Sequence, residues 1–368
     1  KVSYDIRADY NEKVPKTNEE VSKPTWLNIG YFCLQDIMKG LELKKYCNNL
    51  TANRKVTFDS YTILRFLTYA RILDPKSKYA TWDRLNTYYE KPKFEYQHIL
   101  RFMDILEEHQ EEYLRWLYEY SSRIVPRDDS VMYYDCTNFY FECEKEDEEV
   151  IDEVTGEIMD GFRKFGLSKE HRPNPIVEMG LFMDNRGIPV SMCLHSGNTC
   201  EQVTAVPLEK EILRMTHGKS FIYCADAGLG SYNIRLFNSM GGRGFIVTQS
   251  VKKLGDILKQ AVFNDYDYRL LSNDAPVRID YMKEFDRFDE DNRGLYEDFA
   301  YKVIPADHAM DLGLYEEKLL KNGKVQRVKA KGMLKQRVII TFSRKMMEYQ
   351  RTVRNRQIER AKNMLRRN

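Results

Sequence analysis

Long apolar runs are missing from this chain of 368 residues. No stretch approaches the about eighteen consecutive apolar residues of a membrane helix, so we expect neither a membrane span nor a membrane partner. The first residues, Lys1 to Asp5, also lack the apolar stretch of a signal peptide. With 42% apolar and 31% charged residues, the composition is that of a soluble globular protein with two or three domains, or one domain with insertions.

Histidine is scarce and cysteine is scattered, with six and seven residues respectively. Cys193, His195 and Cys200 lie close together, but no second Cys/His pair completes the ligand set of a structural zinc site. We therefore interpret them as ordinary strand and loop residues. An odd number of dispersed cysteines is typical of a reducing cytoplasm.

The net charge of +2 conceals a strong asymmetry along the chain. The segment from Lys321 to Asn368 carries sixteen Lys/Arg against two Glu, a local charge of +14, and the remainder carries −12. Between Glu142 and Asp160 there are ten acids and one Lys, which we interpret as a solvated hairpin or long connection. A basic tail on an acidic body indicates nucleic-acid binding; the alternative is a solvated helix face.

The first third of the chain has the periodicity of helices. Residues 1–25 are predicted to be a polar N-terminal segment, and residues 26–128 an all-α domain of four to six helices. The helical spacing is seen in the apolar residues Tyr61, Leu64, Leu67 and Ala70.

The pattern changes after the polar hinge at 127–130. Residues 129–250 are predicted to form an α/β core, with a helix at 201–216 that contains Pro207 and a short helix capped by Ser231. We expect Pro207 to lie in the first turn of its helix, where the missing N–H costs nothing. The strands are expected at 131–142, 176–183, 188–194, 220–226 and 244–248. This order, β-β-β-α-β-α-β, matches the RNase H-like topology.

The last third is irregular. Residues 251–342 are predicted to be a mainly β insertion, with β-like pieces at 277–281 and 337–342. Residues 343–368 are expected to form a basic helix, which has no Gly or Pro stop before the last residue.

Two aspartates stand out in the predicted core. Asp135 lies inside the apolar strand that begins at Val131, and Asp226 ends the apolar run that begins at Phe221. A carboxylate in a buried strand costs free energy unless it is paired, and two adjacent carboxylates repel unless a cation lies between them. We therefore predict a site for a hard divalent metal. The alternative is two aspartates that cap neighbouring backbone amides.

Several motifs resemble those of bacterial insertion-sequence transposases of the Asp-Asp-Glu type. Residues 133–142 resemble the family's first-aspartate strand, and 225–231 its second-aspartate motif. Residues 166–173 are similar to its Gly-x-Ser-Lys-x-x-Arg-Pro segment. The other similar segments are the third strand and its loop at 188–189 and 196–199, and a stretch of the helical region at 70–77.

The resemblance implies an α+β protein: an all-α domain, an RNase H-like core and a β insertion. It implies cleavage and strand transfer on double-stranded DNA, at terminal inverted repeats and a target. Two Mg²⁺ or Mn²⁺ ions would act there, with Asp135 bridging both and Asp226 binding one. Residues 26–128 would serve DNA binding and dimer contact, in a homodimer on DNA. The location would be the bacterial cytoplasm, in association with the nucleoid.

The third acid of the family is missing from this chain. Its signature is Tyr, two residues, Arg, three residues, Glu, six residues, Lys; after Tyr349 the Arg position holds Thr352. The helix at 342–361 instead resembles a basic helix within the insertion. We therefore expect a C-terminally truncated transposase whose catalytic Glu lies beyond residue 368, with weak metal binding and low or no turnover.

The resemblance and the charge pattern together suggest DNA contacts in the loop at 166–173 and in the basic tail. The alternative for the loop is a surface segment stabilised by its own hydrogen bonds. A rival function is a non-catalytic DNA-binding fragment that inhibits transposition; a host nuclease of the same fold is a third interpretation. The candidate contacts are Ser168, Lys169, Arg172, Lys335, Arg337, Arg351 and Arg354.

Overall fold

The structure is a computed structural model that describes residues 27–151, 156, 158–159, 161–320 and 325–367. The predicted polar segment 1–25 lies outside the described residues. The chain divides into two compact units between Arg127 and Asp128. Among the described residues, no helix combines the length and apolar character needed to cross a bilayer.

The described part of the first unit is all α, as predicted. Asp59 and Ser77 cap two of its helices, each accepting a backbone N–H at 3.1 Å from Thr62 and Ala80 respectively. Its core is rich in aromatic rings, including Tyr31, Tyr46, Phe66 and Phe102. The α-helices are α1 Phe32–Gly40, α2 Leu43–Thr51, α3 Ser60–Leu73, α4 Lys78–Asp83, α5 Tyr96–Glu108 and α6 Gln110–Ile124, with a 3₁₀ turn at Leu85–Thr87.

The second unit begins with the predicted α/β core. Its five-stranded sheet has the order β5-β4-β1-β6-β7, in which β1, β4 and β5 pair antiparallel and β1, β6 and β7 pair parallel. This is the RNase H-like arrangement. The elements are β1 Val131–Tyr140, β2 Val150–Ile151, β3 Ile158–Met159, β4 Ile176–Met183, β5 Pro189–Ser196, α7 Glu201–Met215, β6 Ile222–Ala225, α8 Tyr232–Asn238 and β7 Gly244–Val247.

The acidic stretch contains a two-stranded hairpin, β2 with β3, separate from the main sheet. Asp147 joins this region to Arg163, whose Nε lies 2.6 Å from Asp147 Oδ1. Residues 152–155, 157 and 160 of the same stretch lie outside the described residues. The predicted hairpin is therefore present where the structure describes it.

The insertion is mainly β, as predicted, but it contains short helices. The β-like piece expected at 277–281 is wrong beyond Val277, because α10 begins at Ile279; Ile279 and Met282 are buried on one face of that helix. The sheet order is β13-β10-β8-β9, beside a β11-β12 hairpin. The elements are α9 Asp256–Phe263, β8 Tyr268–Leu270, β9 Pro276–Val277, α10 Ile279–Glu284, α11 Arg293–Glu297, β10 Ala300–Pro305, β11 Tyr315–Leu319, β12 Val325–Lys329, β13 Arg337–Phe342 and α12 Arg344–Arg367.

Helix α7 is the crossover that allows β6 to run parallel to β1. Its buried residues include Thr204, Ala205, Leu208 and Ile212, which recur at three- and four-residue steps. Pro207 lies in the second turn, so the expectation that it would occupy the first turn was wrong. The free energy gained by burying the residues on this face of α7 offsets the loss of the hydrogen bond that Pro207 cannot make.

A buried carboxyl group joins α7 to α8. Glu209 is completely buried, and Asn238 Nδ2 donates to its two oxygens at 2.9 and 3.0 Å. Burial raises the pKa of Glu209 from its ordinary 4.5 to about 7, against the lowering effect of Asn238 and Arg243. The folded state therefore holds a proton on Glu209 more tightly than the unfolded chain does.

This proton predicts how stability depends on pH. Because the folded pKa is raised, the stabilising contribution is complete below about pH 4.5 and is lost as pH rises through 7. The free energy of unfolding of the wild-type chain should therefore fall by up to roughly 3 kcal/mol over this range, since one pKa unit corresponds to about 1.4 kcal/mol. Glu209→Gln should abolish this fall. Urea unfolding at pH 5 to 8 measures it. The exposed Glu284→Gln is the control, and identical pH profiles for both variants would contradict the assignment.

Candidate active site

Strand β1 lies at the centre of the sheet and carries Asp135 in its middle. Met132, Tyr134 and Cys136 are buried on the face that α7 covers, whereas Tyr133 and Asp135 point to the opposite face and are exposed. That opposite face is open around them: Tyr133 is 41% exposed and Ile246 on β7 is 58% exposed. The alternation of a strand therefore directs Asp135 to an accessible surface.

The register of β1 with β6 brings the two aspartates level. Val131 pairs with Ile222 and Tyr133 with Cys224. Continued for two further residues, this register brings Asp135 level with Asp226, which directly follows the last residue of β6. Neighbouring strands are about 5 Å apart, and residues at the same level share a face. The fold thus places both carboxylates on one face at the carboxyl end of β6.

Backbone N–H groups hold both carboxylates. Asp135 Oδ1 accepts from Cys136 N at 2.9 Å, and Asp226 Oδ1 accepts from Gly228 N at 2.8 Å and Leu229 N at 3.2 Å. Both side chains are exposed, so the reasoning that burial forces them to pair was wrong. An exposed carboxylate pays little desolvation cost, and the two aspartates are placed together by strand register instead.

The pair suits a hard divalent ion as part of a ligand set. Carboxylate oxygens are the ligands that Mg²⁺ and Mn²⁺ prefer, and both groups are open to solvent. Among the described residues, no group of three or more His, Cys, Asp or Glu side chains is placed to hold a metal. The described residues therefore supply two candidate metal ligands at this place, Asp135 and Asp226.

A tyrosine beneath the pair locks β1 against α7. The Tyr134 hydroxyl lies 2.5 Å from the Thr204 hydroxyl, and its ring packs 4.5 Å from that of Phe182. Gly180 on β4 provides the space, because a Cβ at this position would lie 2.2 Å from the Tyr134 oxygen. The position of Asp135 thus depends on a contact on the other side of the sheet.

The segment 166–173 packs along the second half of β1. Ser168 is 5% exposed, and its hydroxyl accepts from Glu170 N at 3.3 Å. Lys169 donates to the Cys136 carbonyl and lies 3.6 Å from Glu201. These predicted phosphate contacts therefore have partners within the chain.

Arg172, the third predicted contact of this segment, also has partners in the loop region. Its guanidinium carbon lies 4.2 Å from the centre of the Tyr140 ring, and its Nε lies 3.0 Å from Glu170. The side chain remains about half exposed, so the stacked guanidinium still presents donors to solvent.

Two glycines bring the motif loops into backbone contact. A Cβ on Gly166 would lie 1.8 Å from the Gly197 carbonyl, and one on Gly197 would lie 2.1 Å from the Ile176 carbonyl. The segment 166–173 and the loop after β5 therefore meet at a distance that only glycine allows.

Glu178 is a buried acid of the same sheet, but it lies on the α7 face. It pairs in register with Asn138 on β1, three residues after Asp135, and its side chain therefore points away from the aspartate pair. Burial and, to a smaller extent, the charge of Glu201 raise its pKa to about 7, against the lowering effects of Asn138 and Lys169. Glu178 is therefore not a third acid beside Asp135 and Asp226.

The predicted basic contacts occupy two places. Lys335 and Arg337 are exposed at and before the start of β13, whereas Arg351 and Arg354 are exposed on α12. The structure exposes all four to solvent.

Helix α12 is anchored only near its beginning. Glu348 accepts from Arg344 at 2.7 Å, Arg287 at 2.5 Å and Tyr296 at 3.2 Å. Although burial alone would raise it, the pKa of Glu348 is lowered by these three hydrogen bonds. From Arg354 to Arg366 every residue is exposed. The second half of this basic helix, as far as Arg366, is therefore exposed to solvent along its whole length.

Gln202 is a residue of the site that the sequence reasoning missed. Its Nε2 donates to the Gly228 carbonyl at 2.5 Å and so joins the start of α7 to the turn after Asp226. In the sequence, its position shortly after the loop at 196–199 was the one sign of a role in the site. That sign is weak, because a polar residue at the start of a helix has many ordinary roles.

Comparisons with known proteins return structural matches alone. No protein-family model and no curated protein matches the chain. A complex of Mos1 transposase with its left transposon end matches at 10% identity and a TM-score of 0.21, over 53% of this chain and 60% of that one. A piggyBac transposase synaptic complex with hairpin DNA matches at 12% and 0.30, over 61% and 51%. The Drosophila P element transposase strand transfer complex matches at 10% and 0.29, over 67% and 53%.

These matches concern the arrangement of the chain alone. The aligned part spans about half to three fifths of each of these three transposases.

Gly180→Ala tests how β1 is held. The added methyl group must displace Tyr134 and break its contact with Thr204, so we expect a loss of roughly 1–3 kcal/mol, as for other overpacked cores. Urea unfolding followed by circular dichroism measures it. Gly294→Ala is the control, because nothing lies within 4 Å of its Cβ position in α11. Equal stability of the two variants would contradict this account.

Proposed function

We propose that this chain is part of a DNA transposase of the Asp-Asp-Glu type, which cuts DNA and joins the cut end to a target. The observation that carries the proposal is the parallel register of β1 and β6, in which Tyr133 pairs with Cys224. Two residues further along each chain, this register would bring Asp135 level with Asp226, and both residues are exposed. The order of the sheet, with antiparallel β1, β4 and β5 and parallel β6 and β7, is the arrangement that such a pair requires.

Asp135 and Asp226 would hold Mg²⁺ or Mn²⁺ in this proposal. A bound divalent ion would supply charge neutralisation at the scissile phosphate and activation of the attacking oxygen. The chain's own part is to hold the carboxylates: Cys136 N fixes one oxygen of Asp135, and Gly228 N and Leu229 N fix one oxygen of Asp226. Positioning and charge are most of what a protein contributes to phosphoryl transfer.

The finer assignments belong to the same proposal. The element would be a bacterial insertion sequence, and the substrates would be its terminal inverted repeats and a target duplex. Helices α1 to α6 would contribute DNA binding and contacts within a homodimer. Lys335, Arg337, Arg351 and Arg354 would contact phosphates, which their exposure supports. Ser168, Lys169 and Arg172 would position the loop beside β1, and Arg172 would keep donors available to DNA.

Metal titration tests the aspartate pair directly. We expect Mn²⁺ to bind the wild-type chain weakly, and Asp135→Asn or Asp226→Asn to weaken binding by at least about tenfold, the equivalent of about 1.4 kcal/mol. Isothermal titration calorimetry measures the affinity. Asp256→Asn is the matched control, because that carboxylate is 95% exposed on α9 and lies outside the pair. Unchanged Mn²⁺ binding in Asp135→Asn would refute the proposed site.

A second candidate function is DNA binding without cleavage, as an inhibitor of transposition. The free basic part of α12 supports it, because phosphate contacts from this helix need no metal pair. The two functions differ in one assay, nicking of supercoiled plasmid in Mn²⁺. We expect a transposase to nick and Asp135→Asn to abolish nicking. Salt-sensitive DNA binding with no nicking by the wild-type chain would favour the inhibitor.

A further inference from the structure

A cationic recess lies next to the aspartate pair, at the carboxyl ends of β6 and β7. Ala227, which follows Asp226, and Thr248, which follows β7, form part of its wall. Its three charged lining residues are Arg235, Lys253 and Arg327, and no Asp or Glu is among the described residues that line it.

Arg235 at the inner wall is a buried cation with neutral partners. It is 5% exposed, and it donates to the Gly230 carbonyl at 2.9 Å, Gln336 Oε1 at 3.0 Å and Gln249 Oε1 at 2.6 Å. Burial lowers its pKa to about 10, and none of these three partners carries a charge. A buried charge without a counter-ion is costly, and such a site favours an anion close by.

The wall of the recess is built to hold Lys253 in place. Gly313 has a left-handed φ of +60°, and a Cβ on it would lie 2.2 Å from the Lys253 carbonyl. Gly255 N donates to the Asp311 carbonyl at 2.7 Å two residues further along. Gln249 Nε2 donates to the Leu312 carbonyl at 2.9 Å and joins the insertion to the core at the same place.

The recess has two exposed charges in its lining. Lys253 and Arg327 are exposed, and the guanidinium carbon of Arg327 lies 4.8 Å from the centre of the Tyr315 ring, which orients it. Ser250, Thr248 and Tyr315 add hydroxyl groups to the lining. Hydroxyls, an ammonium and two guanidinium groups together match the acceptor oxygens of a phosphate.

We propose that this recess binds a backbone phosphate of the DNA strand that crosses the Asp135–Asp226 face. The inference deepens the proposed function and rests on it for the identity of the ligand. The location supports DNA over free phosphate, because Ala227, the next residue after Asp226, lines the recess and Lys253 and Arg327 are exposed. Lys253 and Arg327 would clamp the phosphate oxygens, and Arg235 would supply positive charge from below. Holding that phosphate would set the register of the strand relative to the aspartates.

The salt dependence of DNA binding tests this proposal. We expect Lys253→Gln with Arg327→Gln to weaken binding of a double-stranded oligonucleotide several-fold. The slope of log K against log salt should fall by about 0.9, the loss of one phosphate contact. Fluorescence anisotropy at several salt concentrations measures both. Arg235 stays intact in this variant, because replacing a buried cation could disturb folding.

Lys252→Gln with Lys329→Gln is the matched control. Both lysines are exposed neighbours of the replaced residues, neither lines the recess, and the same charge is removed. The control should keep the wild-type slope. If both double variants lose equal affinity and slope, the effect is one of general charge and the recess is not a phosphate site.

A second arm uses inorganic phosphate as the probe and does not depend on the transposase assignment. At constant ionic strength, phosphate should raise the melting temperature of the wild-type chain more than that of Lys253→Gln with Arg327→Gln. If phosphate stabilises through these residues while the DNA slopes match the control, the recess takes free phosphate and the DNA assignment is overturned. If the slopes differ as expected but Asp135→Asn leaves Mn²⁺ binding unchanged, the recess stands and the proposed metal site fails.

Discussion

The parallel pairing of β1 with β6 is the interaction on which the arrangement of the second unit depends. Parallel neighbours need a crossover, and α7 supplies it by burying Thr204, Ala205, Leu208 and Ile212. Once α7 covers one face, every second residue of β1 must point to the other face. Asp135 is on that exposed face, and Asp226 reaches it because β6 has the matching register. A slip of one residue would bury Asp135 under α7.

Close contacts between backbone segments at the ends of strands form the surroundings of the aspartate pair. Gly166 and Gly197 bring two loops together beside β1, and Gly313 holds the carbonyl of Lys253 at the edge of the recess. Arg235 ties these parts to the insertion through neutral oxygens. The aspartates of the sheet and the cations of the recess therefore belong to neighbouring segments, since Ala227, which lines the recess, directly follows Asp226.

The sequence predicted the fold well where periodicity was regular. Strands at 131–142 and 176–183 have alternating or continuous apolar residues, and both are present as β1 and β4. Prediction failed where tertiary contacts outweighed local preference. Pro207 lies inside α7 because packing of the buried face stabilises that helix. Ile279 begins α10 because one face of that short helix is buried. The aspartates were expected to be buried, since an apolar strand does not reveal which of its faces another element covers.

The sequence by itself determined which residues alternate, which segments are helical, and that Asp135 and Asp226 end or interrupt apolar strands. Only the tertiary structure decided that the two carboxylates share a face, that Glu178 lies on the other side, and that Arg235, Lys253 and Arg327 meet in one recess. The physical reason is that periodicity is a local property, set by the pleat and the helical turn. Proximity of residues far apart in the chain depends instead on strand register and on the crossover that packs the layers.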